Sequence, residues 1–267
     1  MFPKDARETI AKPAGIVKCG LTYIGALPPS AGRATYRLMC GRARLSSDVS
    51  EIKLAFSIPP ERPTPNIPAN WNAAPTEDLP VVRYDARAGG RGLDVMRWGL
   101  VPFWAKDVKV GFPNINAKAE TVDTRPAFRE AFTRRRCLVP FDCFYEWKKL
   151  GKERQPYAVA LADRRLMALA GLWETWRSPA GERVRSFAIV TTAPNDLIAE
   201  LHDRMPVILA PETWPIWLGE RSADPEQLKS LLKPYPADDM VIWPVDRRVG
   251  NVKNKDPSLI EPAAVFG

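Results

Sequence analysis

Apolar runs with strand character follow one another along this chain far more often than they alternate with helical patterns. Residues 79–84 and 93–98 read as two strands flanking a Gly-rich turn at 89–92, so a hairpin is the natural connection. Further strand-like runs occur at 137–140, 157–162, 166–173, 187–192 and 241–245. Helical patterning is brief. Val49, Ile52 and Phe56 share one helical face behind a capping-box start at Asp48 and Glu51, and a Pro-rich loop over 59–68 ends that helix. Residues 126–135 read as a helix with Phe128, Ala131 and Phe132 facing inward. Asn195 or Asp196 opens another helix before residues 197–201, and Asp224 with Pro225 at the first helical position opens one before residues 228–232.

This order disfavours a doubly wound parallel sheet and predicts an α+β fold with a curved, largely antiparallel sheet and peripheral helices. Residues 1–38 differ in character, with scattered Gly and Pro, no sustained periodicity and a short apolar patch broken by Gly25. They make a poor signal peptide and read as a disordered leader or a mis-assigned start. A single domain is expected over residues 39–267.

Composition narrows the function. The chain has 267 residues and is 45% hydrophobic, enough for a substantial core. Asp163, Arg164 and Arg165 interrupt even the most apolar region, short of the roughly 20 residues of a membrane span, so no membrane partner is expected. Of the +8 formal charge, half sits in residues 1–38, and the remainder permits a basic groove without requiring one. Four cysteines (Cys19, Cys40, Cys137, Cys143), one histidine and no CxxC pair suit neither a disulfide scaffold nor a zinc site, and fit a reducing cytoplasm. With no GxxxxGK[ST] and no helix after the Gly-rich turn, no nucleotide cofactor is expected either.

Chemistry must then come from side chains. A cysteine is usually a small buried thiol. Cys40, however, stands in Met-Cys-Gly, an order from which methionine is removed when it begins a chain, and an N-terminal Cys40 would carry an α-amine beside its thiol. The amine can form a Schiff base with an aldehyde, and the thiolate can then close a five-membered thiazolidine. His202, the only histidine, reads either as a structural residue or as a general acid beside Asp203 at a helix end. Glu146, between Tyr145 and Trp147, is either an outward-facing strand carboxylate or a partly desolvated one suited to shuttling protons. Asn116 reads as a loop residue capping its own backbone or as an amide that orients an amine. Among the tryptophans, Trp98, Trp147 and Trp173 read as core, whereas Trp104, in a loop with Lys106, could stack on unpaired bases. Arg42, Lys118, Arg125 and Arg204 could line a phosphate track or be solvated surface charges.

The motifs MCGR, NAAP, WGLVPFW, NAKAET, FYEWK, HDRMP and VGNVKN, in this order from Met39 on, resemble the SRAP family of abasic-site processing, or SOS response-associated peptidase-like, proteins. The resemblance implies a barrel-like sheet and covalent capture of abasic sites in single-stranded DNA. Residue by residue, it implies that Cys40 crosslinks, Asn116 positions it, Glu146 shuttles protons and His202 assists ring opening and crosslink reversal. It also implies that Arg42, Trp104, Lys118, Arg125 and Trp147 lie near the DNA path. Lys118 stands where arginine is common, which would turn a bidentate phosphate contact into a point-charge one.

The leading expectation is therefore a cytoplasmic, nucleoid-associated, monomeric abasic-site sensor, active once residues 1–39 are gone. A cysteine peptidase or autopeptidase using Cys40 with His202 is the alternative. A non-catalytic single-strand binding module is the third, and it leaves Asn116, Glu146 and His202 without a shared purpose.

Overall fold

A computed structural model of the protein describes residues 41–265. The leader and Cys40 lie outside the described residues. Twelve strands and five short α-helices follow in the order β1 (Ala43–Leu45), α1 (Val49–Ala55), β2 (Asn70–Ala73), β3 (Asp78–Asp85), β4 (Gly90–Trp98), β5 (Asn116–Lys118), α2 (Arg129–Arg134), β6 (Arg136–Phe141), β7 (Cys143–Leu150), β8 (Glu153–Leu161), β9 (Met167–Arg177), β10 (Arg183–Thr192), α3 (Asp196–Ala199), β11 (Met205–Pro206), α4 (Trp214–Leu218), α5 (Pro225–Ser230) and β12 (Met240–Pro244).

The fold is α+β, as expected. One sheet runs β12-β8-β7-β1-β2, all antiparallel. In the other, β10-β4-β3-β6-β9 closes because β9 also pairs with β10, giving a five-stranded barrel. Closure removes two exposed edges. Its exceptions to antiparallel pairing are β10 with β4 and β10 with β5. At Gly171 of β9 a Cβ would come within 2.7 Å of Cys137 Sγ and 2.8 Å of Val139 Cγ2, so β6 and β9 approach too closely for any larger residue. Trp98 and Phe187 stack at 6.2 Å between ring centroids, and the Trp98 indole N–H donates to the Ile115 carbonyl at 3.1 Å.

Local chemistry sets the elements. Asp48 and Glu51 form the expected capping box on α1, and Asp224 with Gln227 forms a second on α5. The helix expected over 126–135 is shorter. Only Arg129–Arg134 is α-helical, because Phe128 keeps non-helical angles (φ −123°, ψ −28°) with no side-chain cap, and residues 125–128 form a turn ahead of it. Phe128, Ala131 and Phe132 are buried as expected. α3 stops at Ala199, and the Leu201 N–H closes a tighter turn onto the Ile198 carbonyl at 2.8 Å. Among the described residues no helix is long and apolar enough to cross a membrane.

Candidate functional site

β1 delivers the start of the described chain into the site. It lies between β2 and β7, pairing Ala43 with both Ala73 and Phe144, and the Tyr145 N–H donates to the Arg42 carbonyl at 2.9 Å. Continued along β1, the same register sets Gly41 opposite Glu146. A Cβ on Gly41 would stand 3.8 Å from Ile115 Cδ1, so the residue before Asn116 borders the same spot.

Glu146 is 4% exposed, which removes the reading of an outward-facing carboxylate and keeps that of a desolvated one. Alternation along β7 puts Glu146 and Lys148 on one face. The Lys148 ammonium meets Glu200 at 3.0 Å, just past the end of α3 and two residues before His202. That ion pair ties the Glu146 face to the histidine turn.

On the other side, Asn116 is not in a loop. It begins β5, which pairs in parallel with β10 (Ile189 with Asn116, Thr191 with Lys118). Ala117 turns to the core, leaving Asn116 and Lys118 on the opposite face. Arg204 joins this side to the histidine turn, donating to the Thr191 hydroxyl at 3.2 Å and the Thr191 carbonyl at 2.6 Å. It also grips Glu120 with two parallel bonds of 3.0 and 2.9 Å. Partial burial would raise the Glu120 pKa. The Arg204 hydrogen bonds, a backbone N–H and the charges of Arg204 and Lys118 together outweigh it and hold this carboxyl below its ordinary range.

His202 thus sits on a turn anchored to β7 through Glu200, and to β10 and the turn just past β5 through Arg204. Its Nδ1 lies 2.6 Å from Asp203 Oδ1 and 3.2 Å from the Arg204 N–H. The Arg204 N–H donates to Nδ1, and the Asp203 carboxylate stands beside the same edge of the ring.

Residues 99–114 rise beside β5 as a closed loop. Gly99 (φ +126°) and Gly111 touch backbone to backbone, for a Cβ on Gly111 would fall 2.4 Å from the Gly99 carbonyl oxygen. The Val101 N–H donates to Ser186 Oγ at 2.8 Å, and the Trp176 indole N–H donates to the Ala105 carbonyl at 2.7 Å. The loop presents Trp104 at 54% exposure, together with Phe103 at 55% and Phe112 at 54%. Trp98 is fully buried, whereas Trp147 and Trp173 pack against the core and stay partly accessible.

The cations divide. Lys118 and Arg125 are exposed, and the Arg125 guanidinium lies 6.0 Å from the Phe128 ring. Arg42 instead turns its guanidinium onto Asn72 and the carbonyls of Val249 and Gly250. Burial lowers the Arg42 pKa, and nearby Glu77 pulls it back up in part. Cys137 and Cys143 are both buried, and desolvation pushes their thiols up, Cys143 to about 12, so neither supplies thiolate at neutral pH. Sequence reasoning overlooked Phe103, Phe112, Glu120 and Asn72. Phe103, Glu120 and Asn72 lie inside the motifs WGLVPFW, NAKAET and NAAP, whereas no local pattern points to Phe112.

Residues 39–252 match the family model described as SOS response associated peptidase (SRAP). The chain is 42% identical over 224 residues to the abasic site processing protein YoqW of Bacillus subtilis, covering 84% of this chain and 99% of that protein. It is 31% identical over 228 residues to the abasic site processing protein YedK of Escherichia coli, covering 84% and 100%. A crystal structure of a protein from Bacteroides thetaiotaomicron superposes with a TM-score of 0.76 at 25% identity, covering 84% of this chain and all of that one.

Proposed function

The chain belongs to the SRAP family, and from that premise we propose that it captures abasic sites in single-stranded DNA as a thiazolidine on Cys40, in a form of the protein that begins at that residue. One observation carries the proposal. β1 directs Gly41 between Glu146 of β7 and the start of β5 at Asn116. Cys40 is one peptide unit upstream, about 3.8 Å between Cα atoms.

The abasic sugar equilibrates between a closed ring and an open chain whose C1 is an aldehyde. The Cys40 α-amine adds to that carbon to give a carbinolamine, which loses water to form the Schiff base. The thiolate then adds to the imine carbon, the nitrogen takes up a proton, and the product is a five-membered ring with net loss of one water. Glu146, held in a desolvated setting, accepts and returns protons in the addition and dehydration steps. His202, beside Asp203, serves ring opening and crosslink reversal. Asn116 orients the amine. Trp104, with Phe103 and Phe112 on the same loop, stacks on bases flanking the lesion, and Lys118, Arg125 and Trp147 line the strand's path.

The chemistry requires a free α-amine, so residues 1–39 must be absent from the active chain. The test is incubation with an abasic oligonucleotide followed by denaturing electrophoresis. The chain beginning at Cys40 forms a stable adduct, while Cys40→Ala and a chain retaining the preceding residues do not. Equal crosslinking by the alanine variant would refute the mechanism. The family's description also supports a second reading, in which Cys40 and His202 cleave an amide bond. Turnover of an unrelated peptide that depends on both residues would select it.

A further inference from the structure

Arg42 and the motifs WNAAP and VGNVKN, far apart in the chain, meet in one polar knot at the start of β1. One terminal nitrogen of Arg42 donates to Asn72 Oδ1 at 3.1 Å and to the Val249 carbonyl at 2.6 Å, and the other donates to the Gly250 carbonyl at 3.0 Å. Those two carbonyls end the 3-10 helix Arg247–Gly250, where the last turn has acceptors that its own backbone cannot satisfy. Asn72 is 0% exposed, and its amide nitrogen donates to the carbonyls of Val249, Asn251 and Asn254 at 3.0 to 3.1 Å. The cation on Oδ1 and the carbonyls around Nδ2 fix the orientation of this amide. Lys255 completes the knot, spending its three protons on Asn70 Oδ1 at 3.1 Å, the Asn72 carbonyl at 2.6 Å and Glu77 Oε1 at 2.7 Å.

The knot holds the residue two positions downstream of Cys40 from its side chain, while β7 holds the same residue from its carbonyl. Three of the five guanidinium N–H groups are engaged by protein acceptors, so the side chain is tied to Asn72 and to segment 247–250 in the free protein. Such a tie suits a geometric purpose. The nucleophile must meet a sugar carbon within bonding approach, and an error of about 1 Å in such placement costs about a hundredfold in rate.

We infer that Arg42, Asn72 and Lys255 are positioning residues that aim the Cys40 end of the chain, and that Arg42 acts through segment 247–255 rather than on DNA phosphate. This rests on the capture mechanism above. The alternative, a phosphate contact by Arg42, predicts a different thermodynamic signature.

The test uses Arg42→Gln, Arg42→Lys and Lys255→Met in the chain beginning at Cys40. That chain keeps the described core, built from residues 43–260, and its relative YoqW consists almost wholly of the matched part. Adduct formation with an abasic oligonucleotide is expected to slow about ten- to a hundredfold in Arg42→Gln and Lys255→Met. Arg42→Lys falls between, since an ammonium lacks the fork that spans both carbonyls. Affinity for an oligonucleotide carrying a tetrahydrofuran site, which has no aldehyde, stays unchanged, as does its dependence on salt. A fall in that affinity with a salt slope reduced by about 1 would assign Arg42 to a phosphate and overturn the inference, as would an unchanged rate. Amide hydrogen exchange decides independently of DNA chemistry: residues 41–45 exchange faster in Arg42→Gln and Lys255→Met while β8 does not change. Unaltered exchange at 41–45 overturns the positioning role even if the wild-type chain forms adduct. A wild-type chain without adduct, but with this exchange response, counts against the capture mechanism alone.

Discussion

Carboxylates are seldom buried without a task, and Glu146 is 4% exposed on a strand whose next residues reach solvent. As the proposed proton shuttle, it is expected to be replaceable by glutamine in shape but not in chemistry. Glu146→Gln should slow adduct formation about 10²- to 10⁴-fold in quenched time courses, with affinity for the tetrahydrofuran oligonucleotide retained. Glu120 plays the opposite part, as an anchor for Arg204. Its folded pKa lies below its unfolded value, so the carboxylate contributes stability that is present above the unfolded value, near about 4.3, and lost as pH falls through the folded one. Glu120→Gln should therefore flatten the acid limb of stability below about pH 4, read from urea midpoints. The cost at neutral pH is expected to be under about 1 kcal/mol, since half of the Glu120 side chain is open to water.

The elements position these residues, and the loop 99–114 shows how. Its closure depends on Gly99 and Gly111 meeting without side chains, so Gly111→Ala forces a Cβ against the Gly99 carbonyl oxygen, 2.4 Å away. A loss of about 1–3 kcal/mol in urea unfolding is expected, with weaker single-strand binding as the aromatic residues lose their support. The hairpin of β3 and β4, the capping box of α1 and the Asp224–Pro225 start of α5 were legible because their signals are local: alternation, a Gly-rich turn, Asp three residues ahead of Glu, and Pro at the first helical position. β5 was not, because three residues offer no period to read, and Asn116 becomes strand only by lying against β10. The short α2 has the same origin, since apolar spacing marked Phe128 as inward without revealing that its backbone leaves the helix. The aromatic wedge was half legible: Trp104 stood out by composition, whereas Phe112 joins it only through the Gly99–Gly111 closure.

Across the whole molecule, the barrel of β10-β4-β3-β6-β9 and the sheet β12-β8-β7-β1-β2 carry opposite walls of the site, Asn116 on a strand attached to the barrel and Glu146 on the other sheet. The turn bearing His202 spans them through the Lys148–Glu200 and Arg204–Glu120 pairs. Sequence order separates these parts by up to 86 residues between Asn116 and His202, so no window of the chain displays the site, and the family's motifs carried what spacing could not. The most direct test of the account is the intact mass of the chain beginning at Cys40 after incubation with an abasic oligonucleotide. The account predicts one new species, equal to protein plus the abasic oligonucleotide less one water, stable without reductant and missing in Cys40→Ala. Absence of that species, or its equal formation by Cys40→Ala, would contradict it.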